Sequence, residues 1–585
     1  MAATYAASVL FSMTMLTFFP HLYQMGYELF EALSYSGVDG WGVRFCQLDN
    51  NRFPKKEFVS VRNSSNILVT VLSTTVLAAC GGGSDSNGGG STPEPLYGIG
   101  GTVTGLVNSG LALENNGGDN LQVAGVSFEF DTKLADGESY SVSFASHPDQ
   151  QLCELANASG SVAGADVDDI DVQCRSWGTE ALIENTSEHA RFPQIALDGN
   201  GNATAVWQQS DGTYENIYAN RYTPATGWGS AELVENGSSG HAYWPQIAVD
   251  SAGNAIAVWY QDDGTNYNLY ANRYTASSGS WGTEELLESS NAGDVVYPSI
   301  AFDSNDNAIV VWQQSDGTYE SIYANRYTPA TGWGTAELIE SGNNGNATQP
   351  KIVFDSADNA IAIWNQGNGS DDIFINRYTA GAGWGTEEVI AIGSFGNAVS
   401  PQIAIDSNGN AIAVWLEQDG TKVSLYANRY TASTDVWGGE ELIEDSDDGH
   451  AYSPQVVIDS NDNGIVVWHQ SDSGNTNSVY AKRYTPGAGW GAEELIESSI
   501  SDDAEYPKIV IDGDDNVIAV WHQDNHLYAN RYAADTGSWG AEALIGGGNF
   551  SVNGPQIAVG GDGNAITVWY QYDGTHLSIY ANHFK

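Results

Sequence analysis

Seven glutamines and one glutamate recur at one spacing. Gln209, Gln261, Gln314, Gln366, Glu417, Gln470, Gln523 and Gln571 each stand two residues after a tryptophan. A side-chain amide offers donors and an acceptor, and amides beside exposed aromatic rings suit polyhydroxyl or peptide ligands. The loop just before Pro245 supplies two such rings, Tyr243 and Trp244. These ten residues form the candidate ligand-binding set. Glu417 is the one carboxylate in the series, which makes it the first suspect for general acid–base work on a glycoside.

Other chemistries find less support. The chain has no GxSxG, HExxH or Walker loop and no CxxC pair. Its histidines show no metal-ligand spacing. The turn "DSNDNG" at 459–464 carries oxygen ligands at alternate positions, as a calcium loop begins, but the closing position holds Gln470. The same Asp/Asn pattern suits a tight hairpin. Asp bonds the backbone two residues on, and Asn at 202, 254, 307, 359, 410, 463, 516 and 564 tolerates positive φ. We expect no catalytic residue, metal or cofactor, with calcium as the secondary reading of the turn.

A repeat positions these residues. "PQIAVDSAGNAIAVWYQDDG" at 245–264 returns from Pro193, Pro298, Pro350, Pro401, Pro454, Pro507 and Pro555, making eight copies. Each is followed by a version of "IYANRYT" and then "GWGTEELIE". The unit of about 51 residues falls in the range of propellers and solenoids. Within it, four short segments alternate apolar and polar residues between Gly/Asn/Asp turns, and none has a helical period. Four antiparallel strands per unit describe a propeller blade. The first unit opens with the fourth strand, Trp177–Glu184, and the last stops after the third, so strands from the two ends can close a ring. Tryptophans once per unit read as packing between blades. Seven arginines in the "NRY" register, distributed round the ring, read as blade structure.

The loops leading into "PQ" vary most and bring His189, His241, Tyr243, Trp244, Tyr297, His450, Tyr452 and Tyr506 to one rim. Variable loops on a rigid ring are where function usually sits. The preferred reading is a non-catalytic binding or scaffold module for a protein or glycan. The alternative is a carbohydrate-active enzyme with its site on this loop face.

The 585 residues carry 73 Asp plus Glu against 20 Lys plus Arg, a formal net charge of −53. Such a surface repels nucleic acid and anionic lipid, so neither is an expected partner. A monomer is expected.

The N-terminal part reads differently. An apolar run from Ile67 ends in Leu77-Ala78-Ala79-Cys80, followed by the Gly/Ser-rich 80–96. This ending resembles the lipobox of bacterial lipoproteins. The resemblance implies lipidation of Cys80, membrane attachment through that lipid alone and, with Gly82 where an Asp would retain the protein at the inner membrane, an outer-membrane location facing the periplasm or the cell surface. Residues 1–79 are expected to combine an upstream stretch from an early start codon with a signal peptide; a membrane anchor around Ala6–Phe19 is the rival reading.

Residues 97–175 ("GGTVTGL", "VSFEFDT", "DIDVQC") alternate in short segments and resemble the small Ig-like modules near the N-terminus of many bacterial surface lipoproteins. In an exported chain, Cys153 and Cys174 are expected to pair. Residues 176–585 resemble bacterial β-propeller exoproteins. The expected fold is therefore all-β: an eight-bladed β-propeller preceded by a small Ig-like β-sandwich.

Overall fold

The computed structural model describes residues 94–585 apart from 149, 186, 237–239, 290–292, 342–344, 368, 394–395, 419, 421, 446–448, 472–475, 499–501 and 549. Residues 1–79, Cys80 where lipidation is expected, and most of the expected 80–96 linker lie outside the described residues. Every regular element among those described is a β-strand.

Residues 97–175 form two four-stranded sheets closed over one apolar core that includes Ile99, Leu113, Phe130, Val142, Ile170 and Val172. Strand Val167–Arg175 runs parallel to Ile99–Thr104 and antiparallel to Leu152–Ala156. The last pairing sets Cys153 opposite Cys174, and the two are joined by a disulfide. Leu152, on the same strand, packs into a cluster with Ile518, Trp569 and Phe584 of the following domain.

Among the described residues, 176–585 hold eight antiparallel sheets. In the sheet of the 245–264 stretch, Ala242–Val249 pairs with Ala255–Asp262, which pairs with Tyr267–Thr275, with short outer strands at Ser280–Trp281 and Glu285–Leu286. The second strand has almost no exposed side chain, because both its faces meet neighbouring sheets. The first strand of each sheet packs against the first strand of the next. Val552–Val559 of the last packs against Ala190–Leu197 of the first, so the cycle closes. The closing sheet takes its outer strand from the other end of the domain, with Ala181–Leu182 paired to Tyr580–Ala581. A ring of radially packed sheets is a β-propeller, and closing it hides the inner edges.

Three side chains per repeat hold the seams. Asn220, Asn272, Asn325, Asn376, Asn428, Asn530 and Asn582 each donate from Nδ2 to a backbone carbonyl of the preceding sheet, and Lys482 does so from Nζ, at 2.6–3.0 Å. The seven "NRY" arginines lie over an aromatic ring of the following sheet, from Arg221 over Tyr274 at 4.2 Å to Arg531 over Phe584 at 5.0 Å. At the closing seam His583 takes the arginine's place. It accepts a bond from Trp228 Nε1 at 3.1 Å beside Tyr222, and burial pushes its pKa down to about 4.

The Asp turns are self-satisfied. Asp250 Oδ1 accepts the N–H groups of Ala252 and Asn254, and Asn254 Nδ2 donates to Asp250 Oδ2 at 2.7 Å. Asp459 is used in the same way by Asn461 and Asn463. The positive φ falls not on the Asn but on the residue before it: Gly253, Asp306, Asp358, Asp462 or Asp515. The Asn is present for its side-chain amide, which corrects the expectation from sequence. Among the described residues no group of three or more His, Cys, Asp or Glu is placed to hold a metal ion.

Candidate functional site

The recurring glutamines are interior. Gln209, Gln261, Gln314, Gln366, Gln470, Gln523 and Gln571 are all buried, and each accepts the indole N–H of the tryptophan two residues earlier at 2.9–3.3 Å. Residues i and i+2 share one face of a strand, so the amide reaches the indole of its own strand. A fully buried Trp needs an acceptor for its N–H, and the glutamine supplies it. The same amides reach the preceding sheet, as Gln209 Nε2 does to Glu184 and Gln366 Nε2 to Glu340. Seven of the ten candidate positions are therefore core partners rather than rim groups.

Glu417 is corrected on the same grounds. It is buried between sheets, and its counterpart in the preceding sheet, where others carry Glu184 or Glu340, is Ala391. The carboxylate has moved across the seam. The loss of the glutamate does not by itself demand this change, since Gly546 stands at the same place before Gln571; what burial shows is that Glu417 belongs to the interior of the ring and not to its rim.

The lead-in loops also serve the ring. His189, His241 and His450 accept, through Nδ1, the first backbone N–H of a strand in the preceding sheet, that of Leu577, Glu215 and Val423. Asp294, Asn346, Asn397 and Asp503 do the same job through a side-chain oxygen. The loops vary in residue type because any acceptor there suffices. Tyr243 packs inward from this rim against His241, Tyr260 and Tyr267. Trp244, its neighbour, faces the other way.

What remains is the mouth of the central channel. In every sheet the first strand bulges just before the repeated proline, shifting register between Tyr243 and Gln246 and at equivalent places elsewhere. The residue before the proline has positive φ at Phe192, Trp244, Tyr297, Gln349, Ser400, Ser453, Tyr506 and Gly554. For bulky residues this costs about 1–3 kcal/mol. Its presence in all eight sheets marks it as part of the ring's architecture. The side chains it presents are not repeated. Phe192, Trp244 and Tyr297 are aromatic in three consecutive sheets, with Phe192 stacked on Trp244 at 4.2 Å between centroids. Tyr506 stands on the far side of Gly554, whose lack of a Cβ leaves room for the Tyr570 ring. Trp244, Tyr297 and Tyr506 are 44%, 51% and 52% exposed, and no core packing requires them there. Gln349, Ser400 and Ser453 complete the circle on the opposite side. The mouth thus has an aromatic half and a small, polar half.

Below it lies a cavity of about 390 Å³. Its wall includes Trp244 and Tyr297, and below them the residues that follow the prolines: Gln194, Gln246, Lys351, Gln402, Lys508 and Gln556. Sequence reasoning missed this second ring. The available signal was the residue after the repeated proline, which is Gln in five repeats, Ser at 299 and Lys at 351 and 508.

No family model and no curated protein matches the chain. Among solved structures, polysaccharide lyase Uly1 is 11% identical, covering 70% of this chain and 99% of that one with a TM-score of 0.43. The GH93 α-L-arabinofuranosidase of Fusarium graminearum is also 11% identical, covering 54% and 99% with a TM-score of 0.35. The Dos1 propeller is 7% identical, covering 70% and 95% with a TM-score of 0.44. Similarity at this level assigns no residue role to this chain.

Proposed function

We propose that the protein is an exported, lipid-anchored binding protein whose eight-bladed propeller takes a saccharide at its channel mouth, with residues 97–175 as an Ig-like spacer. The observation that carries this reading is the broken symmetry of the mouth. A repeat that packs Trp, Gln, Asn and Arg alike in nearly every sheet has three consecutive aromatic rings on one side of one opening. Flat exposed rings stack on sugar faces, and the amides of Gln194, Gln246, Gln349 and Gln402 suit hydroxyl groups. The described lining of the cavity offers amides, lysines, a serine and aromatic rings. It holds no paired carboxylates of the kind glycoside hydrolysis uses, which favours binding over turnover.

A glycan array probed with the purified protein, run alongside a panel of glycoside substrates, tests this reading. Retention of a defined saccharide without release of product is expected. Turnover of any panel substrate would establish the enzymatic alternative in its place, and an array without hits would remove the glycan reading. The anchor rests on Cys80. Mass spectrometry of the membrane-extracted protein should find a lipid-modified N-terminal Cys80 peptide, and peptides from before residue 80 in the mature protein would contradict it.

A further inference from the structure

We propose that the channel below the aromatic mouth binds a negatively charged substituent, a carboxylate or a sulfate ester, between Lys351 and Lys508, so that the ligand is an acidic saccharide. This inference rests on the channel-mouth reading and deepens it.

Cations are scarce in this chain and are used with care. Arg273, Arg326, Arg483 and Arg531 each reach an Asp of the repeat turn, Arg191 reaches Glu215, and Lys482 reaches Asp445. Lys351 and Lys508 depart from this habit. Among the described residues neither has an ion-pair partner, and both stand half-buried in the channel wall. In a molecule with a formal net charge of −53, two unpaired ammonium groups face one cavity that no carboxylate lines.

The fold does not ask for them. The same register holds Gln194, Gln246, Gln402, Gln455 and Gln556 in five other sheets and Ser299 in a sixth, so a neutral residue fits the position. Placing lysines there has a cost. Burial lowers the pKa of both, and Lys508 falls to about 8 because Lys351 adds like-charge repulsion to desolvation. An anion between them would remove both penalties, and the neighbouring amides of Gln402 and Gln556 can donate to its remaining oxygens. The aromatic half of the mouth would hold the sugar ring while the lysines select its charge.

The test compares neutral, uronate-bearing and sulfated oligosaccharides of matched length by calorimetry, on the full protein and on K351Q/K508Q. The amides are those of the other sheets, so the variant should fold, with circular dichroism as the check. The wild type is expected to favour one acidic series by roughly tenfold, the scale of a charge-assisted contact. The double variant should lose that preference while retaining neutral binding. The uronate and sulfate arms show which anion is read. Lys351, Lys508 and Tyr297 are the titratable groups lining the cavity, so the acidic preference should fade above about pH 8 as Lys508 loses its proton. A second readout needs no saccharide: sodium sulfate, against sodium chloride at equal ionic strength, should raise the melting temperature of the wild type more than that of K351Q/K508Q. That difference without saccharide binding would keep the anion site and sink the glycan reading. Equal treatment of acidic and neutral ligands by the two proteins, with equal sulfate responses, would overturn the proposal.

Discussion

Replacing Trp312 with Ala is expected to destabilise the propeller by about 3–5 kcal/mol, the range for removing a large aromatic from a closed core. Trp312 is fully buried between sheets, beside Val310, Ile256, Val258 and Leu287. Its ring stacks on Tyr323 at 6.1 Å, and its indole N–H is held by Gln314. The change opens a cavity and deprives a buried amide oxygen of a donor, so packing and hydrogen-bond terms act in one direction. Trp312→Phe separates them: it keeps most of the ring but not the N–H, and about 1–2 kcal/mol of loss is expected. Guanidinium unfolding followed by far-UV circular dichroism measures both. A loss below about 1 kcal/mol for Trp312→Ala would mean that the seam tryptophans are not what the ring is built on.

The second large effect is a fall in stability from about pH 6.5 to pH 8.5. Burial raises the pKa of Glu235 to about 8 and those of Glu288 and Glu497 to about 7. These carboxyls bind protons more tightly in the folded protein than in the unfolded chain. Their contribution is therefore fully present below the unfolded value of about 4.5 and is lost as pH rises through 7 to 8. His583 acts in the opposite sense. Its pKa of about 4 lies below the unfolded value, so its contribution is lost as pH falls from about 6.5 towards 4. Between pH 4.5 and 6.5 the two effects oppose each other; above pH 6.5 the three glutamates outweigh the opposing gain from Lys508, whose lowered pKa of about 8 begins to add stability only near the top of this range. Glu235→Gln keeps an oxygen acceptor for the Ile217 N–H, which Glu235 holds at 2.9 Å. It should recover on the order of 2 kcal/mol at pH 8.5 and change little at pH 5. Melting curves across pH for the wild type and this variant check the sign. A wild type more stable at pH 8.5 than at pH 6.5 would contradict it.

Much of the architecture was legible in the residues. The alternation in "PQIAVD" and "AIAVWYQ", the period and the absence of a helical pattern give an all-β propeller, because strand periodicity is a local property that packing preserves. The site was far less legible, for a physical reason. A polar residue repeated once per sheet looks like a ligand ring whether it faces water or the next sheet, and only burial separates the two. Gln261 and Glu417 lie inside, the first bonded to the indole of Trp259 and the second enclosed at a seam between sheets. Tyr243 and Trp244 are adjacent in sequence but face opposite ways across a bulge that no residue type announces. Lys351 and Lys508 sit in a first strand that reads as ordinary alternation. Their meaning appears only when closure of the ring brings sheets distant in sequence to one channel.

The central claim is that ligand binds at the channel mouth and not at the Trp–Gln positions of the interior. Calorimetric titration of an array-identified saccharide into wild type, Trp244→Ala and Glu417→Gln tests it most directly. Trp244 is exposed, so its replacement should leave the fold intact and weaken binding by about 2 kcal/mol or more, roughly thirtyfold, as for a central aromatic anchor. Glu417→Gln should bind as the wild type does. Unchanged affinity in Trp244→Ala, or affinity lost in a folded Glu417→Gln, would contradict the account.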